Sequence, residues 1–192
     1  MDLMKEKKFG FGCMRLPVLN KEDQASFDYE LINKLFDTYL EKGFIYFDTA
    51  YTYHGYHAEE GMRKALVERH PRDSFQLATK LPLRDFKDSE DMEHIFNEQL
   101  INCGVDFFDY YLLHNMGSNV YEKCIKYGAF DFVQKKKVEG KIKVVGTSFH
   151  DTPELLEELL HVNYCDALVA LIILNWEVIK YVTTRKISII TR

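Results

Sequence analysis

Four side chains that could do chemistry together stand at or just after the ends of three apolar, strand-like runs. Asp48 and Tyr53 follow or close FIYFDTA, Lys80 closes FQLATK, and His114 closes DYYLLH. A phenol has an unperturbed pKa of about 10, too high for ready proton donation and recovery near neutrality, and a neighbouring cation favours its phenolate. Lys80 would be that cation. A lysine drawn into a dry rim needs a counter-charge to keep its proton, which Asp48 can supply, and His114 can hold a carbonyl oxygen or relay a proton. Taken singly, a strand-end Asp caps a turn, a Tyr covers a core edge and a Lys snorkels to solvent. Their recurrence at equivalent strand ends predicts a proton-transfer site instead.

For these groups to meet, their strands must run side by side in one direction. Residues 44–49, 75–80, 107–113 and 143–148 read as strands, and further apolar runs begin near 167 and 187. Strands recurring at very roughly thirty residues, each followed by helix, are the pattern of repeated βα units on a parallel sheet. The segment YELINKLFDTYLEKG predicts a helix with Leu31, Leu35, Tyr39 and Leu40 on its apolar face and Gly43 as its stop. AEEGMRKALVER predicts a second, with Met62, Ala65 and Leu66 turned inward and Pro71 ending it. A third covers about 89–102, with Met92, Ile95, Phe96 and Leu100 on one face and Gly104 past its end. Residues 120–139 are helical but broken near Gly128, and Asp151 to Glu154 open another helix with Pro153 at an early position.

Right-handed crossovers place all strand ends on one side. A (β/α)8 barrel has its active site at that C-terminal rim, where Asp48, Lys80 and His114 all fall. Alternation agrees in part: Gln76, Ala78 and Lys80 share one strand face, as do Tyr110, Leu112 and His114. The expected fold is therefore α/β, a single domain over residues 1–192 of TIM (β/α)8-barrel type, incomplete with about six of the eight βα units. KKFGFGCMRLP is expected to form a short hairpin or plug under the barrel. No G-x-G-x-x-G follows a strand, so a Rossmann site is not supported. An open sheet exposes edges and apolar interior, which predicts a homo-oligomer covering them.

Composition narrows the partners. The 192 residues are 46% hydrophobic and 29% charged, with net charge −5, which suits a globular, cytoplasmic protein and argues against nucleic acid or an anionic membrane. The basic run Lys135 to Lys137 reads as a solvated helix end. No apolar stretch reaches the ~18 residues of a membrane span, and the lysine-bearing N-terminus lacks a signal peptide's apolar core. Cys13, Cys103, Cys124 and Cys165 are widely separated without a C-x-x-C pair, and His54 and His57 lack a clear third ligand. Free thiols and no metal are expected.

Together, GFGCMRLP at 10–17, FDTAYTYHGYHAEEGMRKAL at 47–66, ATK at 78–80, DYYLLHN at 109–115 and KVVGTSFHD at 143–151 resemble the aldo-keto reductase family. The resemblance covers roughly residues 8 to 160. It implies NADPH- or NADH-dependent reduction of a small-molecule carbonyl on a (β/α)8 barrel. Tyr53 would be the general acid, Lys80 the cation beside it, Asp48 the partner of Lys80 and a neighbour of the cofactor, and His114 the group that orients the carbonyl. Ser148 matches the position that touches the cofactor's carboxamide, and Gly12, Cys13 and Met14 the segment near the nicotinamide ribose. Phe149 follows Ser148 where members commonly have Asn. The resemblance also implies a C-terminally truncated chain, since the family's last strands carry much of the adenosine-phosphate contact. The alternative is a catalytically inert barrel remnant without effective cofactor binding, acting through another chain.

Overall fold

A computed structural model describes residues 9–149, 151–161, 166–170 and 188–191. Its elements alternate: β1 (Gly10–Gly12), α1 (Tyr29–Glu41), β2 (Tyr46–Asp48), α2 (Ala58–Met62), β3 (Gln76–Pro82), α3 (Ser89–Cys103) and β4 (Phe108–Met116). Then follow α4 (Ser118–Tyr127), α5 (Ala129–Val138), β5 (Ile142–Phe149), α6 (Pro153–His161), β6 (Ala167–Ala170) and β7 (Ser188–Thr191). The strands form one seven-stranded sheet in sequence order, with every pair parallel. This is the curved α/β layer of an incomplete TIM-type barrel. Among the described residues, no eighth strand joins β7 to β1.

The strand positions read near 44, 75, 107, 144, 167 and 187 all carry strands, and a seventh comes from the N-terminal segment. Gly10–Gly12 is no plug: it pairs in parallel with Tyr46–Asp48 as the sheet's first strand. Two glycines in three residues carry little strand propensity; the sheet edge at β2 recruits them. A separate antiparallel bridge, Val18 to Phe27, closes the loop that follows.

Helix ends follow their capping residues. Asp28 accepts from the Leu31 amide to start α1, and Asp88 accepts from the Glu90 and Asp91 amides to start α3. Gly128, in the left-handed region at φ 70°, ends α4 and separates it from α5, the break expected there. The five residues Arg63–Val67 continue α2 as a π-helical turn.

The apolar face of α1 differs from the sequence reading. Ile32, Phe36 and Tyr39 are buried, whereas Leu31 and Leu35 are exposed. The larger rings win the interior because Phe36 and Tyr39 meet Phe47 of β2 at centroid distances of 4.9 and 5.0 Å, which buries more apolar surface than the leucines could. The basic run also differs. Lys136 is buried, its Nζ donating to Glu93 at 2.7 Å and Glu139 at 2.9 Å, so only its neighbours sit in the solvated manner expected of all three.

The sheet has two unequal apolar sides. Its outer face, with Phe47, Leu77, Leu81, Tyr111, Leu113 and Val145, joins the helices in the main core. The inner face carries a small cluster of Tyr46, Ala78 and Tyr110 with Val144 against it, next to the buried Lys80. Cys13, Cys103 and Cys124 are buried free thiols; Cys165 lies outside the described residues, as do residues 171–187.

Candidate active site

Three strand ends and one loop converge on Lys80. Parallel register sets Asp48 of β2 beside Ala78 of β3 and Pro82 beside His114 of β4, so the strand ends share one rim. Lys80 is completely buried, and its Nζ donates to Asp48 Oδ1 at 2.8 Å, to the Thr49 carbonyl and to the Tyr53 hydroxyl at 3.3 Å. The ammonium also lies 4.7 Å from the centre of the Tyr53 ring. Asp48, 3% exposed, receives a second, longer contact at Oδ2 from the Tyr46 hydroxyl, 3.5 Å away. A charge this dry requires such an anionic partner and further acceptors to stay ionised.

Tyr53 reaches the rim from the turn after β2. Its amide donates to Ala50 and its carbonyl accepts from Ala58, the first residue of α2. The imidazole of His114 is half-buried, and its ring stands edge-on to the Tyr53 ring at 5.7 Å. The residues after Tyr53 and His114, His54 and Asn115, both adopt left-handed backbone at φ 51° and 56°, a conformation non-glycine residues hold only where the surroundings enforce it. For His54 the enforcing contacts are visible: the Leu16 amide donates to its Nε2 at 3.0 Å, and Phe27 packs on its ring at 5.0 Å. Burial holds this imidazole below the ordinary histidine pKa.

The remaining sequence-selected residues line the same rim. Gly12 ends β1 in register with Asp48, and the amide of buried Cys13 donates to the Asp48 carbonyl at 2.8 Å. Met14 is exposed, and among the described residues a side chain built at Gly12 would meet nothing within 4 Å. Ser148, buried near the end of β5, pairs with Val169 of β6. Phe149 turns the other way, into the helix-side core. Among the described residues, no group of His, Cys, Asp and Glu could hold a metal ion.

Sequence reasoning missed the polar layer behind the rim. Glu59 is 1% exposed and accepts at Oε1 from Thr79 Oγ1 at 2.6 Å and from Gln99 Nε2 at 2.7 Å. The signal was available: Glu59 lies three and seven residues before Met62 and Leu66, on the face already read as inward.

Known proteins share this fold. The family model described as "Aldo/keto reductase family" matches residues 8–183. The chain is similar to the holo form of an aldo-keto reductase from Bacillus halodurans, with TM-score 0.77 and 24% identity over 96% of this chain and 61% of that one. It is likewise similar to an aldo-keto reductase from Klebsiella pneumoniae in complex with NADPH, with TM-score 0.75, 20% identity and coverage of 96% and 62%. An aldo/keto reductase from Brucella melitensis gives TM-score 0.69 and 21% identity, with coverage of 95% and 66%. The chain thus spans roughly three-fifths of the length of the first two. No protein of curated function matches it in sequence.

Proposed function

Because the chain belongs to the aldo/keto reductase family, we propose that its rim reduces an aldehyde or ketone with NADPH or NADH, Tyr53 acting as the general acid. The observation that carries this reading is the buried ammonium of Lys80, bound to Asp48 at 2.8 Å and to the Tyr53 hydroxyl at 3.3 Å.

In this reading His114 holds the carbonyl oxygen of the substrate. The Tyr53 hydroxyl donates its proton to that oxygen as negative charge grows there. The phenolate left behind is stabilised by Lys80, whose charge is balanced by Asp48 and whose third N–H is fixed on the Thr49 carbonyl. A proton from solvent then restores the phenol. The open surface over Gly12, the exposed Met14 and the hydroxyl of Ser148 fit the nicotinamide end of a cofactor beside Asp48, whereas Cys13 turns its thiol into the helix-side core and borders that surface by its backbone alone. The chemistry a bound nicotinamide supplies is hydride donation to the carbonyl carbon.

The test pairs cofactor titration by fluorescence with NADPH oxidation against reactive aldehydes and quinones. Binding in the micromolar to millimolar range, about that of ordinary Michaelis constants, is expected. In Tyr53→Phe, turnover should fall ~100- to 10,000-fold with cofactor affinity retained, because only the proton donor is removed. A folded protein that binds cofactor yet turns over no carbonyl, or a Tyr53→Phe variant as fast as the parent, overturns the proposal.

A further inference from the structure

Behind β3, on the face opposite the Lys80 ammonium, an ionisable side chain is sealed into the protein with a role the proton-transfer chemistry leaves unassigned. Glu59 lies in the first turn of α2, one residue after the amide that binds the Tyr53 carbonyl at 3.2 Å. Its Oε1 accepts from Thr79, the residue before Lys80, and from Gln99 of α3. Gln99 Nε2 also reaches Thr79 Oγ1 at 3.3 Å and donates to the Lys80 backbone carbonyl at 3.0 Å, and its Oε1 accepts from the Tyr111 hydroxyl of β4 at 2.6 Å. The loop that carries Tyr53 and the strand that carries Lys80 are therefore tied to each other through one carboxyl group and one carboxamide.

We propose that Glu59 is a positioning residue for the Tyr53 and Lys80 pair: protonated, it braces α2 against β3 through Thr79 and Gln99, and ionised, it becomes an uncompensated charge in a dry site whose hydration parts α2 from β3 and loosens the 3.3 Å contact in front of it. This rests on the reading of the rim as a carbonyl-reducing site.

Both donors converge on Oε1, as on a carbonyl oxygen, while among the described residues buried Oε2 has no partner within hydrogen-bonding distance. Among the described residues, the groups facing the carboxyl from the packed elements supply no cation. From α3 come Gln99, Asn102, Cys103 and the Glu98 carboxylate; from β3 comes Thr79; from β4 comes Tyr111; and from the turn after β2 comes Tyr51. Glu60, beside it on α2, is turned to solvent near His57. Burial is the largest influence and pushes the Glu59 pKa up to about 7, against the opposing hydrogen bonds from Thr79 and Gln99 and the nearby Asn102 carboxamide. Near neutrality the brace would be divided between its two forms, so the proton on Glu59 becomes a setting on the site in front of it.

The experiment compares the parent with Glu59→Gln and Glu59→Ala. Gln offers the same acceptor to Thr79 and Gln99 without titrating; Ala removes the brace. kcat and KM are followed from about pH 5 to 9. In parallel, the Tyr53 ring carbon resonance, assigned by its loss in Tyr53→Phe, is followed in protein carrying labelled tyrosine. The parent should show a fall in kcat and a resonance shift with a shared midpoint near the Glu59 value of about 7. Both steps should vanish in Glu59→Gln, whose kcat should match the parent's acid plateau. Glu59→Ala should lose ~10- to 100-fold in kcat with KM little changed, the signature of misplaced catalytic groups.

Identical pH profiles in the parent and Glu59→Gln, or a Glu59→Ala variant that loses stability but keeps kcat, overturn the inference. If the parent turns over no carbonyl, the functional reading fails, and the resonance shift alone decides whether Glu59 is coupled to Tyr53.

Discussion

Replacing Glu59 with Gln should change how the stability of the protein depends on pH, whatever the protein catalyses. In the unfolded chain this carboxyl titrates near 4.5, and in the fold burial raises it to about 7. Between those values the native state keeps a proton that the unfolded state has released. The stabilising contribution is therefore complete below 4.5 and lost as pH rises through 7. At about 1.4 kcal/mol per pKa unit, the full loss is about 3 kcal/mol, of which about 2 to 3 kcal/mol falls between pH 5 and 8. Glutamine does not titrate, so its stability lacks this component while sharing every other pH dependence of the fold. Urea denaturation of both proteins across that range isolates the term, since the remaining titrations cancel in the difference. The parent should lose stability relative to Glu59→Gln as pH rises. A difference that stays flat would refute the argument that desolvation outweighs the Thr79 and Gln99 hydrogen bonds. A slope of opposite sign would show an ionised carboxylate held by those donors.

Other consequences follow from the same contacts. Asp48→Asn leaves the fully buried Lys80 ammonium without its counter-charge and should cost about 3 to 5 kcal/mol by denaturant titration; combining it with Lys80→Met should recover most of that loss. Asp109, buried at the start of β4, accepts from Arg72 at 2.6 Å, Lys143 at 2.8 Å and the Leu77 amide at 3.0 Å. Asp109→Ala should cost about 3 kcal/mol in the same assay and leave kcat per folded molecule intact, because it acts at the end of the sheet opposite the rim. The Leu16 amide donates to His54, whose pKa burial depresses. This contact is present above the ordinary histidine range and lost as pH falls through the depressed value, so hydrogen exchange at Leu16 should accelerate on acidification relative to its neighbours. His54→Ala should make that exchange fast at every pH.

The residues of the rim were legible because their chemistry is unusual at strand ends. A tyrosine, a lysine, an aspartate and a histidine at the ends of apolar runs call for a joint explanation. The structure then brings the phenol to 3.3 Å from the ammonium and the imidazole ring to 5.7 Å from the phenol ring. What lies behind them was harder to read. The face of α1 was misassigned because leucine and phenylalanine score alike as apolar, and only the neighbouring rings of Phe11 and Phe47 decide that Phe36 turns inward. Lys136 looked like one of three solvated lysines until Glu93, forty-three residues away, supplied its partner.

By itself the sequence determined what local physics controls: the apolar runs that make β2 to β5 strands, the break at Gly128, and the polar side chains placed at the strand ends. Only the tertiary structure decided what depends on residues distant in the chain. It enlists Gly10–Gly12 as a strand by offering them the free edge of Tyr46–Asp48. It also turns Glu59 from a carboxylate on an amphipathic helix into a buried acid that titrates near neutrality. Propensity and periodicity act between near neighbours, whereas desolvation is the sum of everything packed around a group. That sum is written only when the chain has folded.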